Sequence, residues 1–145
     1  MCHNVFIASR HVLPTIDDAA FQLKFHLKQP RPYELNALQV KFSLPNIYYV
    51  GSTTGCSCDL HVHNEYEAEL IMESRVPERD RVVCLQAFYD LLREEARNGE
   101  IELYSCWAED EDLPIETTIE FRTQTLSLDP FVHFPMAERR FIRLL

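Results

Sequence analysis

The 145-residue sequence has few glycines, little positive charge and no long apolar run. Its only glycines are Gly51, Gly55 and Gly99, and each marks an expected boundary between elements. Apolar runs such as VFIA fall far below the roughly 20 residues that a membrane-spanning helix needs, and the first residues do not resemble a secretory leader. We therefore expect one globular domain, residues 1–145, that is cytoplasmic and has no membrane partner.

The charge of the sequence is predominantly negative. Acidic residues outnumber basic ones by 23 to 14, and the formal net charge is −9 at pH 7. Binding to nucleic acid depends on clustered Lys and Arg, and the only dense basic group is Arg139, Arg140 and Arg143. The sequence therefore predicts no nucleic-acid partner. The acidic run from Glu109 to Asp112 lacks the glycine and the ligand spacing of a calcium loop, so we expect it to be a solvated loop.

Alternating apolar and polar residues predict a set of β-strands. The apolar stretch from Val5 to Ala8 suits a central strand of the sheet. Two further strands, Ile47 to Val50 and Cys56 to His63, flank the turn GSTTG and predict a hairpin. The other segments with a strand pattern are 21–28, 38–44, 101–107, 115–121, 131–134 and 139–145.

One long helix is predicted from Glu78 to Asn98. The acidic first turn suits the positive end of the helix dipole, and Gly99 can adopt the left-handed conformation that ends a helix. Strands on both sides of this helix, without repeated βαβ units, predict an α+β domain in which the helix packs on a mostly antiparallel sheet. The apolar stripe of the helix consists of Val82, Leu85, Phe88, Leu92 and Ala96, with Cys84 and Leu91 beside it.

The stretch GCSCDLHVH contains two cysteines and two histidines within eight residues. Thiolate and imidazole are ligands that zinc prefers, but the spacing is Cys-x-Cys and no second cysteine pair follows. If the segment is a strand, Cys56 and Cys58 share one face, while His61 and His63 lie on the other. The four groups then cannot meet one metal ion, so the cysteines need further ligands from another part of the chain.

Cys2 and His3 are the leading candidates for those ligands. They precede the apolar stretch that we expect at the centre of the sheet, where it can pair beside the hairpin. The resulting hypothesis is a small domain that binds a transition metal, zinc, through Cys2, Cys56, Cys58 and His3.

Other interpretations of the cysteines remain open. In one, the protein is a non-catalytic interaction domain that recruits a protein partner or a second copy, and its cysteines are inert and buried. In another, a cysteine carries out thiol redox chemistry, or Cys2 acts as the nucleophile of an N-terminal-cysteine hydrolase once Met1 is removed. We expect Cys84 and Cys106 to be packed in the core. The common enzyme fingerprints are absent from the sequence, which does not favour an enzyme.

Four stretches of the chain together resemble a group of small uncharacterised bacterial proteins with an N-terminal Met-Cys and a central YVGS…GCxC motif. They are MCHNVFIASRHVLPTI, YYVGSTTGCSCDL, IELYSCWAEDED and FVHFPMAERRFIRLL, so the resemblance covers most of the chain. In that group a glycine stands between the two central cysteines, where this chain has Ser57. The resemblance implies no activity, but it implies that Cys2, Cys56 and Cys58 belong together.

Overall fold

The computed structural model describes residues 3–14, 25–52, 57–60, 78–126 and 136–145, with the backbone alone for residues 58, 59 and 78–82. Its strands are β1 (His3–Ser9), β2 (Phe25–Lys28), β3 (Asn46–Ser52), β4 (Ile101–Trp107), β5 (Thr117–Phe121) and β6 (Arg140–Leu144). The helices of the described residues are α1 (Pro32–Leu38) and α2 (Glu78–Asn98), with the short 3-10 helices η1 (Ser57–Leu60) and η2 (Thr123–Thr125).

The six strands form one sheet in the order β2-β3-β1-β4-β6-β5. Every neighbouring pair is antiparallel except β5 and β6, which are parallel. The predicted α+β class with a mostly antiparallel sheet is therefore confirmed. The N-terminal strand β1 lies between β3 and β4, which is the central position that its apolar sequence predicted.

Side chains alternate between the two faces of the sheet, and each face carries a buried apolar cluster. On the face that we call the helix face, Val5, Ile7 and Leu103 pack in one cluster with residues of α2. On the opposite face, Phe6 and Tyr104 pack against residues 35–44, which comprise the end of α1 and the turn that follows it.

The helix α2 spans the predicted residues, Glu78–Asn98. Leu85, Phe88 and Leu92 are buried in the helix-face core, as the apolar stripe predicted. Gly99 follows the helix with a φ of +152°, a conformation that side chains disfavour. Within the described residues, neither α2 nor any other helix is both long and apolar enough to cross a bilayer.

The strand predicted over residues 38–44 is wrong. Leu38 ends α1, and its carbonyl oxygen accepts hydrogen bonds from the backbone N–H groups of Lys41 and Phe42, which turns the chain. The apparent alternation fails at Val40, whose side chain is 84% exposed. Pro32 at the start of α1 favours a helix here, and this local signal outweighs the short period-2 pattern.

The predicted hairpin between Ile47–Val50 and Cys56–His63 is also wrong where the structure describes it. Residues 57–60 form η1, whereas position 56 and positions 61–63 lie outside the described residues. The physical reason is that β3 already pairs with β1 on one side and β2 on the other, which leaves no edge for another strand.

Of the other predicted strands, 101–107 and 115–121 correspond to β4 and β5, and the C-terminal segment corresponds to β6. The segment 21–28 is described only from residue 25, where β2 begins, and 131–134 lies outside the described residues.

Candidate functional site

A serine side chain is inserted where the pairing between β1 and β3 begins. The register of the two strands runs from Val5 opposite Val50 to Ser9 opposite Asn46. At the Val5 end, the fully buried Ser57 hydroxyl accepts a hydrogen bond of 3.0 Å from the Val5 N–H and donates one to the Val50 carbonyl oxygen. We call this place, formed by Val5, Val50 and Ser57, the β1–β3 fork.

Two further contacts fix η1 at the fork. The Ser57 N–H donates to the Tyr49 hydroxyl at 3.1 Å. At the other end of η1, the Leu60 side chain is fully buried in the helix-face core. The short helix η1 is therefore attached to both β1 and β3, and it lies on the helix face of the sheet.

His3 lies at the first position of β1, opposite Trp107 of β4. The two rings meet edge to face, with their centroids 5.0 Å apart and their planes at 84°. Burial lowers the pKa of His3 to about 4, so the imidazole is neutral at pH 7. Alternation along β1 places His3 on the same face as Val5, which is the face that η1 enters.

Of the four residues predicted to bind metal, the structure fully describes His3 alone. Cys2 and Cys56 lie outside the described residues, and Cys58 belongs to η1 without a described side chain. Among the described residues, no group of three or more His, Cys, Asp or Glu side chains is placed to hold one metal ion.

The prediction that separates the histidines after the Cys-x-Cys motif from its cysteines does not hold in this structure. In a strand, alternation would place His61 and His63 on the face opposite Cys56 and Cys58. That argument required a continuous strand over residues 56–63. Because residues 57–60 form η1 instead, the argument no longer separates the histidines from the cysteines. Both histidines lie outside the described residues.

The two cysteines with described side chains are buried in the core, as expected. Cys84 lies in the helix-face cluster and Cys106 in the cluster of the opposite face. Burial, together with the charges of Glu111 and Asp110, raises the pKa of Cys106 to about 12. A thiol with this pKa remains protonated at neutral pH, which makes it a poor nucleophile.

A second polar region lies on the face opposite α2. The acidic loop was expected to be solvated, and this is wrong for Glu111, whose side chain is only 3% exposed. Glu111 Oε1 accepts hydrogen bonds from Asn4 Nδ2 at 3.0 Å and from the Glu109 N–H at 3.3 Å. One signal in the sequence pointed to this contact, since Asn4 is a polar residue at an inward-facing position of β1.

Glu34 of α1 is another buried carboxyl group on this face, with 4% exposure. Its Oε1 accepts a hydrogen bond of 2.9 Å from the Arg31 N–H, which satisfies a free donor at the start of α1. Burial raises the pKa of Glu34, and the negative charge of Glu111 adds to this effect.

Two arginines of the basic group near the C-terminus are paired with acidic residues. Arg139 forms an ion pair with Glu116, and Arg143 Nη1 lies 3.6 Å from Glu120 Oε1. These pairs join the β6 region to β5 and offset the positive charge of the arginines.

The chain matches no protein-family model, no curated protein and no solved structure. Two regions of the fold are candidate functional sites because of the residues they contain. The first is the β1–β3 fork with η1 on the helix face, and the second is the buried Glu111 on the opposite face.

Proposed function

We propose that this domain binds one zinc ion through Cys2, Cys56 and Cys58, with His3 as the fourth ligand. Three thiolates and one imidazole form one of the common ligand sets of structural zinc. Because four protein ligands fill a tetrahedral zinc site, this site holds two chain segments together and leaves no open position for a substrate.

The observation that supports this proposal is the 3.0 Å hydrogen bond between Val5 N and Ser57 Oγ. Ser57 is the covalent neighbour of both central cysteines. Val5 follows Cys2 by three residues, and one step along a chain covers about 3.8 Å between Cα atoms. The hydrogen bond therefore joins two segments that both carry cysteines.

The position of His3 supports the same ligand set. His3 extends β1 beyond the β1–β3 fork and lies on the helix face, where η1 buries Leu60. The chain reaches Cys2 directly from His3. The start of β1 therefore brings His3 to the face of the sheet on which η1 is attached, one residue after Cys2 in the chain.

The proposal is tested by adding cobalt(II) to the full chain, purified without a polyhistidine tag and stripped of metal. Thiolate ligands give cobalt(II) a charge-transfer absorption in the near ultraviolet, and a tetrahedral site gives a strong visible band. We expect both in the wild type, with a change in the emission of Trp107, the only tryptophan, because its ring contacts His3.

A variant pair makes this test specific. Cys2→Ser should weaken the thiolate absorption, whereas Cys106→Ala, which removes a buried thiol on the opposite face, should leave it unchanged. A wild type without thiolate absorption would refute the proposal, and so would equal spectra for the wild type and Cys2→Ser.

A further inference from the structure

The strand β5 is at one end of the sheet, next to β6, in the part of the chain that the structure describes. Its residues Thr117, Thr118 and Glu120 are exposed, and Ile119 and Phe121 are partly buried against the helix-face core. A strand at the end of a sheet presents backbone N–H and C=O groups that can pair with another chain. The outer side of β5 is therefore a candidate interaction surface, which we call the β5 edge.

The hydrogen bonds to β6 indicate which backbone groups lie on the β5 edge. The Phe121 carbonyl oxygen accepts a hydrogen bond of 2.9 Å from the Leu145 N–H, so Phe121 faces β6. In a parallel ladder, every second residue of a strand directs both of its backbone groups to the same neighbour. Ile119 therefore faces β6 as well, and the N–H and C=O groups of Thr118 and Glu120 point outward.

The β5 edge has little protection against pairing. Natural edge strands are commonly protected by lysine or proline, and β5 contains neither. Its single charged side chain, Glu120, lies 3.6 Å from Arg143 Nη1 of β6, which offsets the charge. By contrast, β2 at the other end of the described sheet contains Lys28 and is followed by Pro30. Of these two strands, β5 is the better suited to pair with another chain.

The sequence of β5 is complementary to a second, antiparallel copy of itself. When Ile119 lies on the twofold axis, Thr118 of each copy is opposite Glu120 of the other. These two residues are the ones whose backbone groups point outward, so each such pair exchanges two N–H···O hydrogen bonds. The directions of the backbone groups therefore fit this register.

The charges beside β5 agree with the same register. It places Arg122, which continues the strand in an extended conformation, opposite Glu116 of the other copy, and both side chains are exposed. Opposite charges at facing positions stabilise strand pairs. Acidic and basic side chains nearly balance around β5 and β6; they are Glu116, Glu120, Glu138, Arg122, Arg139, Arg140 and Arg143. The net charge of −9 is therefore carried by other parts of the chain and opposes this contact only weakly.

The helix face of the β5 edge adds an apolar contact. Ile119 and Phe121 extend the helix-face core to the end of the sheet, where they remain partly exposed. In the twofold pair, Ile119 meets Ile119 of the other copy, and Phe121 meets Thr117. Cross-strand pairs of this kind stabilise a sheet, so the second copy covers apolar surface that one chain leaves exposed.

We propose that two copies of this chain form a twofold dimer by antiparallel pairing of their β5 edges, with Ile119 at the axis. Because both copies use the same surface, the assembly closes at two chains. In the sheet, β4 and β6 separate β5 from the β1–β3 fork, so the dimer does not depend on the zinc site.

The test is analytical ultracentrifugation of the full chain from low-micromolar to submillimolar concentration. The sedimenting mass should rise from that of one chain to that of two and then remain constant. Hydrogen exchange, detected by mass spectrometry, locates the interface. The segment 116–122 should exchange more slowly in the dimer than after dilution, because the outward N–H groups of Thr118 and Glu120 become hydrogen-bonded.

Variants of β5 make the test specific. Thr118→Pro removes an N–H that β6 does not use and blocks the β5 edge, so this variant should sediment as a single chain. Arg122→Glu places like charges opposite each other at both ends of the interface and should weaken the dimer about tenfold or more. Arg10→Glu makes the same charge change at an exposed position after β1 and should alter the affinity less than about twofold.

Four results would overturn the proposal. They are a wild type that remains a single chain throughout, which would leave the β5 edge to a strand of a different protein, a folded Thr118→Pro that still dimerises, equal effects of Arg122→Glu and Arg10→Glu, and growth beyond two chains. If circular dichroism shows that Thr118→Pro does not fold, Arg122→Glu and the exchange of segment 116–122 decide the question.

Discussion

The hydroxyl of Ser57 connects Val5 and Val50 at the β1–β3 fork. It accepts a hydrogen bond of 3.0 Å from the Val5 N–H and donates one to the Val50 carbonyl oxygen. One small side chain thus satisfies two buried backbone groups, one from each strand. This contact holds η1 on the sheet.

Replacing Ser57 with alanine should destabilise the protein by about 2 kcal/mol or more, because a buried donor and a buried acceptor both lose their partner. Ser105→Ala is a matched control. Ser105 is equally buried but donates a single hydrogen bond, 2.8 Å long, to the Ala137 carbonyl oxygen, so its loss should cost about 1 kcal/mol. The free energies of unfolding in urea give both values. A smaller loss for Ser57→Ala than for Ser105→Ala would contradict the role of the bridging hydroxyl.

Cys106 should not react with iodoacetamide in the folded protein at pH 8. Its pKa is raised to about 12 by burial and by the charges of Glu111 and Asp110, so the reactive thiolate is suppressed by about three orders of magnitude relative to an ordinary thiol. Mass spectrometry of the digested protein measures the alkylated fraction, with urea-unfolded protein as the control. Rapid labelling of Cys106 in the folded protein would mean that this thiol is accessible and activated.

Glu34→Gln should stabilise the protein at pH 7. Burial raises the pKa of Glu34 in the folded state, so the folded protein takes up this proton at a higher pH than the unfolded chain. The stabilising contribution of the protonated Glu34 is therefore fully present below the pKa that Glu34 has in the unfolded chain. It is lost as the pH rises through the higher pKa that Glu34 has in the folded protein. Glutamine keeps the oxygen that accepts from the Arg31 N–H but carries no charge.

The corresponding measurement compares unfolding of the wild type and Glu34→Gln between pH 4 and pH 7. The advantage of the variant should shrink as the pH falls, because the wild-type carboxyl group then becomes neutral as well. Glu94→Gln, an exposed carboxyl on α2, serves as control and should show little difference from the wild type. An advantage of Glu34→Gln that stayed constant with pH would exclude the raised pKa as its cause.

Cys2→Ser should lower bound zinc and thermal stability together, because the binding energy of a structural metal is part of the folding energy. A chelator should lower the melting temperature of the wild type and have little effect on the variant. Cys84→Ala, in the helix-face core, should lower stability without loss of metal. His61→Ala tests the ligand set directly. Unchanged zinc supports His3 as the fourth ligand, and lost zinc would replace His3 with His61.

The sequence correctly predicted the parts of the fold in which the pattern of apolar and polar residues is long and agrees with the other local signals. The helix from Glu78 to Asn98 combines an apolar stripe with a terminal glycine, and both signals refer to the same residues. The strand from Val5 to Ala8 is apolar on both faces, which only a central strand requires. In these segments, local preference and tertiary packing agree.

The wrong predictions concern segments whose structure depends on distant contacts. Residues 57–60 could not pair with β3 as a strand, because β2 (Phe25–Lys28), far earlier in the chain, already occupies that side of β3. Glu111 is buried through a contact with Asn4, 107 residues away. Neither contact is visible in a local pattern of hydrophobicity or charge.

The most direct test of the proposed function is the metal content of the untagged protein, measured by elemental analysis after purification without added metal or chelator. The wild type should contain about one zinc ion per chain, and the variants Cys2→Ser, Cys56→Ser and Cys58→Ser should each contain far less, while Cys106→Ala should equal the wild type. A correctly folded wild type that contains no transition metal, and takes up none when zinc is supplied, would contradict the proposal.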